Sequence, residues 1–304
     1  MPADDLIFSA PATVAEAVAQ LAGQDGDAIA MGGGTSVAML LKHGLIEPGR
    51  IVWLGRVPGL RRLAATGDGS LVVGATVTLR ELAASAAVRA HAPALARAAG
   101  QVGNSRVRAV ATVGGALVHG DPRQDIPPVL MALEARVRVA GPSGEREVPL
   151  AGFHTGIMET VLAGGELVTD VVIPAAPGRR SGYARFTPGS EHDYPTVGVA
   201  VSIVRSGGGE VASAVVALGG VGPVPLLVTE AAALVGGVPG PADVEAVAAA
   251  AERTATPADD QRGSARYKKA MAREWTRRSL LACLAGAGEQ PYPPERPGPP
   301  PGGR

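Results

Sequence analysis

The stretch Gly103-Asn-Ser-Arg-Val-Arg-Ala-Val-Ala-Thr112-Val-Gly114-Gly115-Ala-Leu-Val-His119-Gly-Asp121-Pro-Arg-Gln-Asp125-Ile-Pro-Pro-Val-Leu-Met-Ala-Leu133 decides the reading of this chain. Two adjacent glycines follow a β-branched pair, which predicts a turn where backbone comes very close to something. Two carboxylates and an apolar run come next. Far upstream lies a second glycine-rich turn, Ala30-Met31-Gly32-Gly33-Gly34-Thr35-Ser36. Glycine admits positive φ and lacks the Cβ that would block a ligand. Thr and Ser hydroxyls beside exposed N–H groups can hold phosphate oxygens, as backbone nests do. Two such turns suggest one long, diphosphate-bearing ligand gripped from two sides.

The totals narrow the class. The 304 residues are 46% hydrophobic, enough for two or three compact units with sizeable cores. Aromatics are only 3%, against 42 Gly and 26 Pro, so packing is aliphatic and turns are many. A formal net charge of +0 gives no argument for nucleic acid or an anionic membrane. One cysteine, Cys283, cannot form a disulfide within the chain or ligate an iron–sulfur cluster, which needs several thiolates. The N-terminus carries Asp4 and Asp5 and no basic-then-apolar signal region. No uncharged apolar stretch has the length and character of a membrane span. The expectation is a cytoplasmic protein with no membrane span.

Outward from the glycine turns, the elements read as follows. Residues 1–56 predict strand, helix, strand, turn, helix, strand. Thr13-Val-Ala-Glu16 has capping-box spacing and opens a helix over 14–22. Ala28–Met31 is a strand feeding the glycine turn. A helix over 37–42 follows, stopped by Gly44, with its N–H groups facing the diphosphate. Residues 57–176 predict a larger α+β unit. It has a strand at 71–75, a helix opened by the second capping box Thr78-Leu-Arg-Glu81, and a Pro93-initiated helix to Gly100. Strands at 136–140, 147–150 and 167–173 complete it. Residues 177–288 predict a strand meander (183–186, 197–204, 211–218) and helices over 242–254 and 264–284. Residues 289–304, rich in Pro and Gly, read as a disordered tail.

Gly33-Gly34-Thr35 with Thr112-Val-Gly114-Gly115, then His119-x-Asp121-Pro and Asp125-x-Pro-Pro, resembles the flavin-binding medium subunit of molybdenum hydroxylases, over about residues 4–285. The resemblance implies an α+β fold: an FAD-binding fold of the vanillyl-alcohol-oxidase (PCMH) type, made of a small βα subdomain and a larger α+β subdomain. A C-terminal sheet-plus-helices domain follows. It also implies FAD contact from Met31, Gly32, Gly33, Gly34, Thr35 and Ser36 on one side, and from Thr112, Gly114, Gly115, Ala116 and His119 on the other. Many relatives carry Asn or Asp where Ala116 stands, so any contact from Ala116 is through backbone. The first turn lacks the Rossmann spacing and the P-loop Gly-Lys-Ser/Thr.

Asp125 reads either as an N-cap ahead of Ile-Pro-Pro or, as in relatives, as an acceptor for flavin ribityl hydroxyls. Asp121 reads as structural. His119 reads as a hydrogen-bonded histidine beside the ligand rather than a metal ligand, since the five histidines form no metal pattern. Arg185 and the run Glu191-His192-Asp193-Tyr194-Pro195 correspond to the place where relatives put a cation and an aromatic near the flavin ring. The alternative is a charged strand end and loop. Asp259-Asp260-Gln-Arg262-Gly263-Ser264 reads as a cap with a salt bridge, or as a surface facing a partner subunit.

Thr35 occupies the place where covalent flavoproteins of a related fold often have His, which implies noncovalent FAD. Three functions remain on these residues. The first is an electron-transferring FAD subunit, with 2Fe-2S clusters and molybdopterin on separate small and large partner subunits, in a dimer of heterotrimers. It would pass electrons to quinone, NAD or oxygen. The second is a free-standing FAD-dependent oxidoreductase acting directly on a small substrate. The third is a scaffold that has lost FAD, against which both glycine turns argue.

Overall fold

In the computed structural model, residues 6–23, 27–190 and 192–286 are described. Glu191 and the Pro/Gly-rich tail therefore lie outside the described residues.

The N-terminal unit alternates strand and helix: β1 (Ile7–Ser9), α1 (Val14–Leu21), β2 (Ala28–Met31), α2 (Thr35–Lys42) and β3 (Arg50–Trp53). The three strands form a parallel sheet in the order β1-β3-β2. Thr13 caps α1 by accepting from the Glu16 N–H at 3.1 Å, and Glu16 reaches back to the Ala12 N–H at 2.8 Å. The return bond lands one residue ahead of the usual capping-box donor. Helix α2 starts two residues earlier than the periodicity predicts, because Gly34 takes φ 75° and turns the chain directly into the helix. It stops at Gly44 (φ 62°), where the Leu45 N–H bonds to the Leu40 carbonyl at 2.9 Å.

The middle unit holds β4 (Leu63–Ala65), β5 (Leu71–Gly74), α3 (Leu79–Ala84), α4 (Ala86–His91), α5 (Pro93–Gln101), α6 (Ser105–Val110), α7 (Val113–Val118) and α8 (Ile126–Ala132). Next come β6 (Arg136–Gly141), β7 (Gly144–Pro149), β8 (His154–Gly156), β9 (Glu159–Thr160) and β10 (Leu167–Ile173). An antiparallel sheet, β4-β5-β10-β6-β7, backs the helices. The capping box of Thr78 and Glu81 forms in full, but the helix it opens breaks at Ser85, whose side chain accepts from Val88 and caps α4.

The C-terminal unit is the antiparallel sheet β11 (Arg179–Phe186), β12 (Val197–Arg205), β13 (Val211–Gly219) and β14 (Leu226–Leu227), followed by α9 (Pro241–Thr254) and α10 (Ala265–Ala285). The expected meander and both helices are present; β14 adds a short edge.

Among the described residues, three hydrophobic clusters hold the fold. One lies under the N-terminal sheet, one between the middle helices and sheet, and one between the C-terminal sheet and α9–α10. Each fully buried Leu or Phe side chain contributes about 1.5–3 kcal/mol. The middle cluster also takes in Tyr183, Ala200 and Ala217, so the C-terminal sheet packs directly on the middle helices. Ala94, Ala96, Ala98 and Ala99 of α5 are buried, and their small side chains let the helix lie close. That contact brings β11 to the start of α8.

Candidate cofactor-binding site

The glycine stretches meet. A Cβ on Gly33 would collide with the Val110 carbonyl, and one on Gly32 would sit 2.6 Å from Thr112 Oγ1. The two segments therefore touch at their base and open above into one cavity of about 750 Å³. That is within the ~300–1,000 Å³ range of ligand pockets. Gly32, Gly33, Gly34, Thr35 and Ser36 line it from one side, and Thr112, Gly115, Ala116, His119, Asp125 and Tyr194 from others. Met31, Gly114 and Arg185 do not line it.

The first wall is built to hold negative charge. Its strand ends at Met31 and α2 begins at Thr35, so the loop points a helix N-terminus into the cavity. The Gly34 N-cap offers no side-chain cap bond. The first-turn N–H groups have no intrahelical partner and carry the positive end of the helix dipole. Residues 28–46 contain no carboxylate. Trp53 braces the loop from behind: its indole N–H donates to the Gly32 carbonyl at 3.1 Å, and Phe8 stacks on it.

On the second wall the predicted turn of close backbone approach is helical: Gly114 and Gly115 form the first turn of α7, capped by Thr112, whose hydroxyl accepts from the Gly115 N–H at 3.2 Å. The Val113 and Gly114 N–H groups bond to the Val77 and Ala75 carbonyls at 3.0 and 2.8 Å, and the Ala116 N–H bonds to Thr112. These donors are used within the protein. Gly114 is buried, and a Cβ there would sit 2.7 Å from Ala75 Cβ. Its glycine serves packing.

Asp125 stands at the N-cap position of α8, but its side chain makes no cap bond there. It is 4% exposed and accepts from Tyr183 Oη at 2.7 Å and from Arg185 Nε at 2.8 Å. Burial pushes its carboxyl up, against the pull of Arg185 and Tyr183. Burial likewise pushes the Tyr183 phenol well up. Arg185, expected beside a ring, instead sits behind Asp125 and donates to the Asp193 carbonyl. Tyr194 does reach the cavity; the Arg123 guanidinium lies 5.3 Å over its ring, and Arg123 also pairs with Asp121 at 3.3 Å. Burial holds the His119 imidazole below its usual value although Asp121 pulls the other way.

The Asp259–Ser264 segment makes a cap and ion pairs. Ser264 accepts from the Tyr267 N–H, Asp260 pairs with the buried Lys268 at 2.7 Å, and Arg262 pairs with Asp193 at 2.6 Å. Cys283 is buried and its thiol is pushed up to about 12 by burial. Among the described residues no group of three His, Cys, Asp or Glu could hold a metal, and no helix is long and apolar enough to cross a membrane.

One part of the lining escapes the motif reading: Met158, and 162–166. The pair Gly164-Gly165 was the available signal. Gly165 has φ 80°, and a Cβ there would meet Ala22.

The family described as FAD binding domain in molybdopterin dehydrogenase matches residues 4–176, and the CO dehydrogenase flavoprotein C-terminal domain matches 183–283. The carbon monoxide dehydrogenase medium chain of Hydrogenophaga pseudoflava is 35% identical, over 91% of this chain and 96% of its own. The nicotine 6-hydroxylase medium subunit of Paenarthrobacter nicotinovorans is 32% identical, over 91% and 97%. A solved carbon monoxide dehydrogenase from H. pseudoflava, lacking the Mo-pyranopterin moiety of its cofactor, superposes with a TM-score of 0.88 at 36% identity, over 92% and 97%.

The fold and cavity thus define an FAD-binding oxidoreductase component of the α+β type expected. The chain belongs to the flavoprotein family of the molybdopterin dehydrogenases, the medium subunits of the carbon-monoxide and xanthine dehydrogenase type. The residues present fit FAD: a carboxylate-free helix N-terminus for its diphosphate, and a cavity of the right order of size.

Proposed function

We propose that this chain is the FAD-carrying electron-transfer subunit of a heteromeric molybdenum hydroxylase. It takes electrons from a 2Fe-2S small subunit and passes them to quinone, NAD or oxygen. A molybdopterin large subunit oxidises the substrate, and the assembly is a dimer of heterotrimers in the cytoplasm. The carrying observation is the cavity walled by Gly32–Ser36 and by Thr112–Asp125, residues far apart in sequence. The medium-chain names of the relatives and the single buried cysteine support the division of cofactors.

Bound FAD supplies the capacity to accept two electrons and release them. The protein's own residues bind and orient. The α2 N-terminal N–H groups and the Thr35 and Ser36 hydroxyls hold the diphosphate noncovalently. Thr112, Gly115, Ala116 and His119 bound the opposite side by shape, and Asp125 accepts hydrogen bonds from the ribityl hydroxyls. Tyr194 lines the same cavity. Residues 1–56 and 57–176 form the two FAD-binding subdomains, and 177–288 the C-terminal domain. None of these side chains needs to exchange a proton with substrate.

Substrate added anaerobically to the isolated, FAD-loaded chain and to the three-subunit complex tests this. Flavin absorbance is expected to bleach only in the complex. Bleaching in the isolated chain would instead support direct oxidation of a small substrate.

A further inference from the structure

Strand β11 carries two side chains that reach the cavity only through others. Tyr183 is 2% exposed and Arg185 7% exposed. Both donate to Asp125, which does line the cavity. The other end of the Arg185 guanidinium donates to the carbonyl of Asp193, the residue before cavity-lining Tyr194. The Asp193 carboxylate in turn accepts from the Tyr194 N–H at 2.7 Å and from Arg262 at 2.6 Å. One guanidinium from the C-terminal unit therefore grips a carboxylate of the middle unit and the loop bearing Tyr194.

Two consequences follow from elementary electrostatics. The field of a buried carboxylate is poorly screened, so its hydrogen bonds decide how much negative potential it projects into the cavity. The planar Arg fork can hold two acceptors in fixed directions, whereas a Lys ammonium acts as a point charge.

We infer that Tyr183 and Arg185 are positioning residues for the redox site. Tyr183 draws charge from Asp125 and so raises the potential of the bound flavin; Arg185 fixes the place of Tyr194. The C-terminal domain thereby tunes a cofactor whose diphosphate is held by the N-terminal domain. This rests on the cavity holding FAD. A purely structural role for the same contacts would leave the flavin's reduced-to-oxidised ratio unchanged.

The test uses the assembled complex with Tyr183→Phe and Arg185→Lys, measuring flavin content, the reduced-to-oxidised flavin ratio at a fixed poise, and amide exchange over 192–196. Tyr183→Phe is expected to keep its flavin and lower that ratio about tenfold, equivalent to ~30 mV for a two-electron couple. Arg185→Lys keeps the charge beside Asp125, so the ratio stays within about twofold while exchange over 192–196 rises severalfold. An unchanged ratio in Tyr183→Phe, or unchanged exchange in Arg185→Lys, overturns the assignment. Should Tyr183→Phe fail to accumulate, the exchange measurement in Arg185→Lys decides. A colourless wild-type complex would sink the FAD reading itself, whereas a flavin-loaded wild type with inert variants sinks only this inference.

Discussion

The two glycine segments look alike in sequence and do different physical work. In Gly32-Gly33-Gly34 the chain leaves a strand, turns through positive φ at Gly34 and offers the N-terminus of α2 to the cavity. In Gly114-Gly115 the backbone is already inside a helix, its N–H groups bonded to Ala75 and Thr112. In the first set Gly34 turns the chain so that α2 offers its donors, while Gly32 and Gly33 let the loop lie against Thr112 and Val110; in the second, Gly114 only lets one backbone lie against another. Glycine marks close approach, and only the surroundings say whether the approaching group is ligand or protein.

Substitutions can break this contrast. The largest effect is expected from Gly33→Ala, whose Cβ would collide with the Val110 carbonyl at the seam between the walls. Flavin content should fall more than tenfold. Gly114→Ala meets Ala75 instead, and should destabilise by about 1–3 kcal/mol, typical of overpacking, with flavin binding changed only as far as folding is. Denaturation curves with and without FAD separate the two.

Two threonines sharpen the same point. Thr112→Val removes the α7 cap and should cost about 1 kcal/mol of apoprotein stability. Thr35→Val leaves apoprotein stability nearly unchanged, since Thr35 caps nothing, and weakens FAD binding. Equal effects of both on apoprotein unfolding would erase the distinction between the walls. Trp53→Phe loses the donor to the Gly32 carbonyl, worth about 1 kcal/mol. FAD affinity measured by titration should drop about fivefold.

The smallest effect concerns acid stability behind the second wall. Thr78 pairs with Thr112, and Glu81 completes the Thr78 capping box. The Glu81 carboxyl is held at about 2 despite partial burial, because Arg61 and the Thr78 backbone and hydroxyl stabilise its charged form. Its contribution is therefore present above its unfolded value of 4.5 and is lost as pH falls from there through about 2. Glu81→Gln should lower stability slightly at neutral pH and flatten the curve between 4.5 and about 2, so that the two proteins converge in acid.

Much of the fold was legible. Strand β10 matches the apolar run at 167–173, and the capping signatures at Thr13 and Thr78 both open helices. These features depend on neighbours three or four residues away, so local pattern suffices. The site was legible less evenly. The Gly32–Ser36 wall was read from its own residues, but Gly114 and Arg185 proved to stand behind the surface, and Asp125, at the N-cap position, turns its carboxylate to Tyr183 and Arg185 instead of the helix. Each of those roles depends on a partner 39 to 60 positions away: Ala75 for Gly114, Arg185 for Asp125.

Sequence alone determined the alternation of strands and helices, the two points of close backbone approach and the shortage of thiolates. Those follow from residue type and short-range periodicity. Only the tertiary structure decided that the two walls share one cavity, which glycines turn the chain and which let backbones pack, and that the C-terminal sheet supplies the partners of Asp125. The reason is that buried hydrogen bonds and close contacts are made between segments whose separation along the chain carries no trace of their distance in space.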